Sequence, residues 1–406
     1  MDLIYESNSF KLQFHFLGLS TRALIYFMSN IYVLGAGMVG SAMAIDLAKN
    51  HQVTVSDVSS AVLSRIAEKE PSLKTEMLDV TDTKDLASKI KDADVVLSAV
   101  PGFLGFETLK NIILQAKNTV DISFFPENAL ELNQLALENN VTAIVDCGVA
   151  PGMDNVILGY YNETHDLDFF ECLVGGLPKV KKWPFCYKAP FSPVDVIEEY
   201  TRPARYIENG ELIVRPPLTD CEFVEFDKVG TLESFNSDGL RSIIHTMPHI
   251  KNMKEKTLRY PGHVEYVRVL KESGFFHDEP IFENGQTALD VTSKILFKEW
   301  KLNENEEELT VMRVTIEGVN KSSKQKENIS FDLYDEFDHK TSTSSMARTT
   351  GYTATAAVNM FLDGLITKKG VLPPELVGSD KSCYDYFFNY LEERGVKYKK
   401  KISRID

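Results

Sequence analysis

The residues whose spacing most narrowly limits their chemistry are Gly35-x-Gly37-x-x-Gly40, with an acidic residue, Asp57, about 20 positions further on. Gly35 suits a tight turn, Gly37 lets the backbone approach a diphosphate, and Gly40 lets a helix lie close to a strand. A diphosphate would rest on the unpaired N–H groups of that helix start, around Met38 and Val39, where the helix dipole also favours an anion. Asp57 suits two ribose hydroxyls and repels a 2′-phosphate. The next arginine, Arg65, lies a helical stretch away, so NAD is expected rather than NADP. Asp79 stands either where adenine contacts are found or as a helix cap before Thr81. Val100 and Pro101 close a strand whose C-terminal edge would face the nicotinamide. The bland alternative for the whole motif is a glycine turn with no ligand.

Such a motif carries weight only between a strand and a helix. Apolar residues 29–34 read as that strand, and small and apolar residues recur at helical spacing over 41–50. Strands follow at 51–56, 75–78, 93–99, 119–122 and 142–146, with helices at 60–69, after Thr81, and at 106–117 and 126–139. Pro101-Gly102 reads as a fixed loop. Strands alternating with helices predict parallel βαβ units, a doubly wound Rossmann sheet over 28–152.

Beyond Pro151-Gly152 the pattern changes. Segments 169–174, 211–214, 222–226 and 308–317 read as strands, several of alternating polarity, with irregular loops between them. An antiparallel sheet with a few helices, an α+β substrate domain over 153–345, is expected. Residues 346–406 return to helices, at 349–365 and 384–394, and the acidic run 303–308 reads as an exposed loop. The overall class is therefore α/β, with a second α+β domain.

A net charge of −15 argues against a nucleic-acid or anionic-membrane partner and tolerates a small cationic one. The five cysteines include no CxxC pair and are odd in number, so neither a zinc site nor a disulfide framework is expected. Reduced thiols in a cytoplasmic protein fit this usage. Residues 1–27 are apolar but broken by Lys11, His15 and Arg22, unlike a membrane span of about 20 apolar residues. They are expected to be an upstream extension, with Met28 as a plausible start.

Several segments then resemble the saccharopine dehydrogenase-like family in order and spacing: Pro101-Gly102-Phe103-Leu104-Gly105-Phe106, Val120-Asp121-Ile122-Ser123, Gly148-x-Ala150-Pro151-Gly152-Met153 and Val174-Gly175-Gly176-Leu177-Pro178. Three more resemble its lysine 6-dehydrogenase branch: Glu198-Glu199-Tyr200-Thr201-Arg202-Pro203-Ala204-Arg205, Ser237-Asp238-Gly239-Leu240-Arg241-Ser242 and Leu258-Arg259-Tyr260-Pro261-Gly262-His263. So does Met346-x-Arg348-x-Thr350-Gly351-Tyr352-Thr353-Ala354. The resemblance runs from about Ser29 to the C-terminus. It implies a homodimer that uses NAD to oxidise the ε-amine of L-lysine, with C-terminal helices folded back on the first domain. One departure is Val194, where the branch carries arginine after Phe191-Ser192-Pro193.

A protonated amine has no lone pair with which to expel hydride, so the implied reaction needs a proton acceptor near the nicotinamide and a cation for the α-carboxylate. Asp121 suits the first role, or merely caps its turn. Cys147 reads as a titrating thiol or, more simply, a small buried hydrophobe. Tyr187, with Lys188, either reaches the cleft or packs. Arg241 is the first choice for the carboxylate, ahead of Arg202, which reads as a salt-bridge partner. His263 reads as acid, base or ligand anchor, or as a satisfied structural histidine. The rival substrate is saccharopine, with NADP. The rival class is an NAD-binding protein without turnover.

Overall fold

The computed structural model describes residues 28–189, 193–281, 283–303 and 306–405. The extension expected at 1–27, the Phe191-Ser192 pair and the side chain of Val194 lie outside what is described.

Strands β1 (Asn30–Leu34), β2 (Gln52–Asp57), β3 (Lys74–Met77), β4 (Val95–Ser98), β5 (Asn118–Asp121) and β6 (Thr142–Ile144) lie parallel in the order β6-β5-β4-β1-β2-β3. β1, β4 and β6 are apolar and buried nearly throughout, as strands covered on both faces must be. Helices α1 (Met38–Ala48), α2 (Ser60–Lys69), α3 (Thr83–Ile90), α4 (Gly102–Leu114) and α5 (Asn133–Glu138) connect them. Three helix starts differ from expectation, the last being α5, which begins at Asn133 rather than Pro126. α1 begins directly after Gly37, and α4 begins at Gly102 rather than Phe106, with Pro101 as its N-cap. Proline lacks an N–H that a helix start leaves unpaired anyway, so Pro101-Gly102 opens a helix where a loop was expected.

The second sheet contains β7 (His165–Pro178), β8 (Ala204–Glu208), β9 (Glu211–Arg215), β10 (Glu222–Phe226), β11 (Gly230–Asn236), β12 (Asn252–Arg259), β13 (Glu308–Asn320) and β14 (Lys326–Glu336). It is mixed rather than antiparallel, because β12 runs parallel to β7 and places Glu255 beside Cys172. β7 runs through Gly175-Gly176, which had read as its end. A Cβ on Gly175 would lie 2.6 Å from the Leu258 carbonyl oxygen, so the glycine permits close strand contact rather than breaking the strand. Helices α6 (Met153–Thr164), α7 (Pro193–Thr201), α8 (Ile243–Thr246), α9 (His263–Glu272) and α10 (Ala288–Trp300) belong to this part of the chain.

The C-terminal stretch serves both sheets. α11 (Ser345–Leu362) packs on α1 through small residues, Gly351 facing Met43 and Val39. β15 (Gly370–Leu372) then adds a parallel strand beside β6, and α12 (Pro374–Gly378) packs on α6. After α13 (Lys381–Glu393), β16 (Tyr398–Arg404) closes the second sheet against β14. This stretch was expected to be helices alone. β15 has three residues and β16 is rich in lysine, so neither carries an apolar strand pattern. One continuous core runs from Val33 and Met43 through Met153 and Phe170 to Val358 and Phe387, joining the sheets. Among the described residues no helix is long and apolar enough to cross a membrane.

Candidate active site

A cleft of about 1060 Å³ draws its walls from both sheets. All nine residues expected to hold the dinucleotide line it: Gly35, Gly37, Met38, Val39, Gly40, Asp57, Asp79, Val100 and Pro101. Gly35 has φ +95°, and a Cβ on Gly40 would sit 2.0 Å from the Gly35 oxygen, so the turn and the helix are in direct contact. Gly37 has open space where its side chain would be, and α1 starts without a side-chain cap. Uncapped N–H groups beneath an open backbone fit a diphosphate. Asp57 closes β2, its carboxylate accepting from the Ala36 and Ser59 N–H groups, each at 2.9 Å. Asp79 takes the Thr81 N–H and hydroxyl at 2.9 and 2.7 Å, so it caps its turn as well as lining the cleft. Arg65 and Lys69, on α2, line the same part.

The four residues expected to do chemistry sit behind the cleft walls. Asp121 is wholly buried, with one oxygen accepting the Ser123 N–H at 2.8 Å, which is the turn-capping alternative. Burial pushes its carboxyl up to about 7. Arg241 is held by Asp146 at 2.7 Å and donates to the Phe125 carbonyl, so it is not available to a substrate carboxylate. Tyr187 packs against His263 and Trp300 and receives a long contact from Arg259. The two nitrogens of His263 are taken by Tyr200 at 2.8 Å and the Phe185 carbonyl at 2.9 Å. Burial, then Arg259, pulls its pKa down to about 3, so the ring is neutral. Cys147 is a buried thiol whose sulfur faces the Thr353 carbonyl, and burial pushes it up.

The cleft wall belongs instead to neighbours of these residues. Carboxyl groups come from Asp146, Asp195, Glu198, Glu199, Asp238 and Glu255, with Glu306 tied to Lys182 at 2.9 Å, and cations from Arg202, Arg259 and Lys301. Arg202 pairs with Glu198, and Arg259 with Glu199 at 2.6 Å. Asp238 takes Arg205 in a two-pronged grip, Nε at 2.9 and Nη2 at 2.8 Å. One Arg202 nitrogen, Nη1, is buried without a partner among the described residues. Among the described residues Glu255 forms no salt bridge, and its Oε2 is buried without a hydrogen bond.

The three segments around Glu199, Asp238 and Arg259 are thus bound to one another. Their signal in the sequence was a resemblance in motif, and a motif does not say which of its charged members faces a ligand. Glu255 had no such signal, because it lies in β12, where Lys254, Glu255 and Lys256 interrupt the apolar alternation. Glu308 also differs from expectation. Rather than belonging to an exposed loop, it is buried and accepts the Ser345 and Met346 N–H groups at 2.9 and 2.8 Å, closing the start of α11.

Comparison with known proteins agrees with this geometry. Residues 31–144 match the saccharopine dehydrogenase NADP binding domain, and residues 148–396 match the saccharopine dehydrogenase C-terminal domain. The NADP+, L-glutamate-forming saccharopine dehydrogenase of Saccharomyces cerevisiae is 26% identical over 264 residues, covering 62% of this chain and 59% of that protein. The mitochondrial alpha-aminoadipic semialdehyde synthase of Bos taurus is 23% identical over 451 residues, covering 91% and 47%. The chain thus spans about half the length of the curated relatives it matches. The solved apo saccharopine dehydrogenase (L-Glu forming) from Saccharomyces cerevisiae superposes with a TM-score of 0.76 at 21% identity, over 92% of this chain and 100% of that one, which shows a shared fold. With both halves matched in order and the cleft between them, the chain belongs to the saccharopine dehydrogenase family of oxidoreductases.

Proposed function

We propose that the protein oxidises the ε-amine carbon of L-lysine with NAD, releasing ammonia and the semialdehyde. The carrying observation is the charge inventory of the cleft: among the described lining residues carboxyl groups outnumber cations, and Arg202 and Arg259 already hold Glu198 and Glu199. A dication with one carboxylate suits such a wall better than saccharopine, with its three carboxylates. Arg202, whose Nη1 has no partner among the described residues, is the group for the α-carboxylate, in place of Arg241. When bound, the nicotinamide supplies the hydride acceptor. Asp57 at the end of β2 supports NAD.

The second reading is saccharopine oxidation with NADP. The names of the relatives favour it, and so does the presence of Arg65 and Lys69 in the lining of the cleft that Asp57 also lines. Reduced-nicotinamide absorbance, followed with L-lysine and with saccharopine, each with NAD and with NADP at alkaline pH, separates the two. Turnover with lysine and NAD, with ammonia released, is expected. Turnover with saccharopine alone transfers the assignment to the second reading.

A further inference from the structure

At the cleft wall and just behind it, two acids meet with no salt-bridge partner among the described residues. Asp154 lies in the first turn of α6, Glu255 in β12, and Cys172 next to it in β7. The two carboxyls and the Cys172 sulfur each offer an atom within 4.8 Å of the others. Asp154 is wholly buried and Glu255 is 4% exposed. Asp154 Oδ1 accepts the Gly152 N–H at 2.8 Å and the Cys172 thiol lies in hydrogen-bonding reach of the same carboxyl, while among the described residues no nitrogen or oxygen donor meets Asp154 Oδ2 or Glu255 Oε2. Two ionised carboxylates this near each other in a core repel strongly, which favours a proton on one of them. The remaining neighbours do not change this. Asp238, Glu199, Glu171 and Glu375 add negative charge, Arg241 pulls Glu255 back but is already bound to Asp146, and among the described residues the Tyr398 hydroxyl has no partner. Burial pushes both carboxyls up, and pushes the Cys172 thiol up with them. Only Glu255 of the three lines the cleft. Its carboxyl fills the space beside Gly239, where a Cβ would come within 1.9 Å of Oε1.

We propose that Asp154 and Glu255 hold one proton between them, and that this pair receives the proton which the substrate ammonium must lose before hydride transfer. The inference rests on the amine-oxidation reading above. In the step, a substrate N–H bond breaks and its proton bonds to Glu255. The pair's first proton rests on the wholly buried Asp154, so uptake by the ionised Glu255 takes the pair from one negative charge to none. The nitrogen keeps the electron pair that expels hydride from the neighbouring carbon to the nicotinamide, and the pair later returns one proton to water through the cleft. Such a group is worth about 10²–10⁴-fold in rate.

Infrared spectroscopy of the full chain, metal analysis and a pH–kcat profile test this together, on wild type, Glu255→Gln and Asp154→Asn. The wild type should show a protonated-carboxyl carbonyl band near neutral pH that Asp154→Asn removes. Glu255→Gln should lower kcat by about 10²-fold or more and flatten the ionisation limb, with NADH affinity unchanged. Asp154→Asn, which offers Glu255 an amide donor, should move that limb to lower pH. The proposal is overturned if no such band exists, if kcat in Glu255→Gln stays within about threefold of wild type, or if a stoichiometric metal ion is found on these groups. If the wild type oxidises neither lysine nor saccharopine, the functional reading and the proton-uptake step fall together, and the infrared band still decides the pair's proton.

Discussion

Arg241 donates its Nε to Asp146 Oδ1 at 2.7 Å, each of the two residues 5% exposed, and the guanidinium lies over the Phe124 and Phe125 rings. Asp146 follows β6 of the first sheet and Arg241 follows β11 of the second, so this pair fastens the two halves at the cleft wall, Asp146 facing the cleft and Arg241 behind it. Burial pushes the Asp146 carboxyl up while Arg241 pulls it back. Removing the arginine leaves a buried, uncompensated acid, a loss of about 3–5 kcal/mol. Arg241→Ala should therefore lower the urea midpoint sharply, with the folded fraction keeping its KM for the amino acid. A normal midpoint with a raised KM would return Arg241 to the substrate.

Arg202 should behave in the opposite way. It lines the cleft, pairs with Glu198, lies over Phe124, and has Nη1 buried without a partner among the described residues. A carboxylate there makes a charge-assisted hydrogen bond worth about 1.5–3 kcal/mol. Arg202→Ala should raise KM for the amino acid by about 10–100-fold, and leave NADH affinity, followed by fluorescence, unchanged. A shift in nucleotide affinity instead would place Arg202 against the cofactor.

Asp57 governs the choice of nucleotide. Its two oxygens are oriented by the Ala36 and Ser59 N–H groups, which keep the carboxylate at the end of β2, where a ribose would lie. Asp57→Ala removes the partner of the ribose hydroxyls and the repulsion of a 2′-phosphate. NAD efficiency should fall by about 10–100-fold, and NADP efficiency should rise, with Arg65 and Lys69 already lining that end. Steady-state kinetics with both nucleotides checks this. An unchanged ratio would mean that Asp57 serves only the turn.

These cases show how unevenly the site was legible in the sequence. The cofactor wall was readable because its chemistry is backbone chemistry: Gly35, Gly37 and Gly40 act through what their missing side chains permit, and their spacing is local. Positions such as Arg241 and Arg202 were not, because a charged residue's role depends on which partner the tertiary fold brings to it. Arg241 meets Asp146 from 95 positions away, and His263 meets Tyr200 from 63. The parallel β7–β12 pairing was hidden for the same reason, and with it the meeting of Glu255 and Asp154. Asp121 and Tyr187 lie near the correct cleft but one layer behind it, a distinction of a few ångströms that spacing does not carry.

His263 gives a pH test that a catalytic histidine would fail. Its Nδ1–H donates to the Phe185 carbonyl and its Nε2 accepts the Tyr200 hydroxyl proton, so a second ring proton has no place to go. Burial and Arg259 pull its folded pKa to about 3, from an ordinary 6.5. Between those values the unfolded chain binds the proton and the folded chain does not, so stability rises with pH across the window and is lost as pH falls from 6.5 towards 3. The limiting slope is about 1.4 kcal/mol per pH unit for one such group. Urea midpoints measured from pH 7 to 4 should fall more steeply in the wild type than in His263→Gln, whose glutamine cannot take up the proton. The kcat profile should meanwhile show no limb that His263→Gln removes. Equal midpoint slopes, or a lost kinetic limb, would place His263 in the proton chemistry of the cleft.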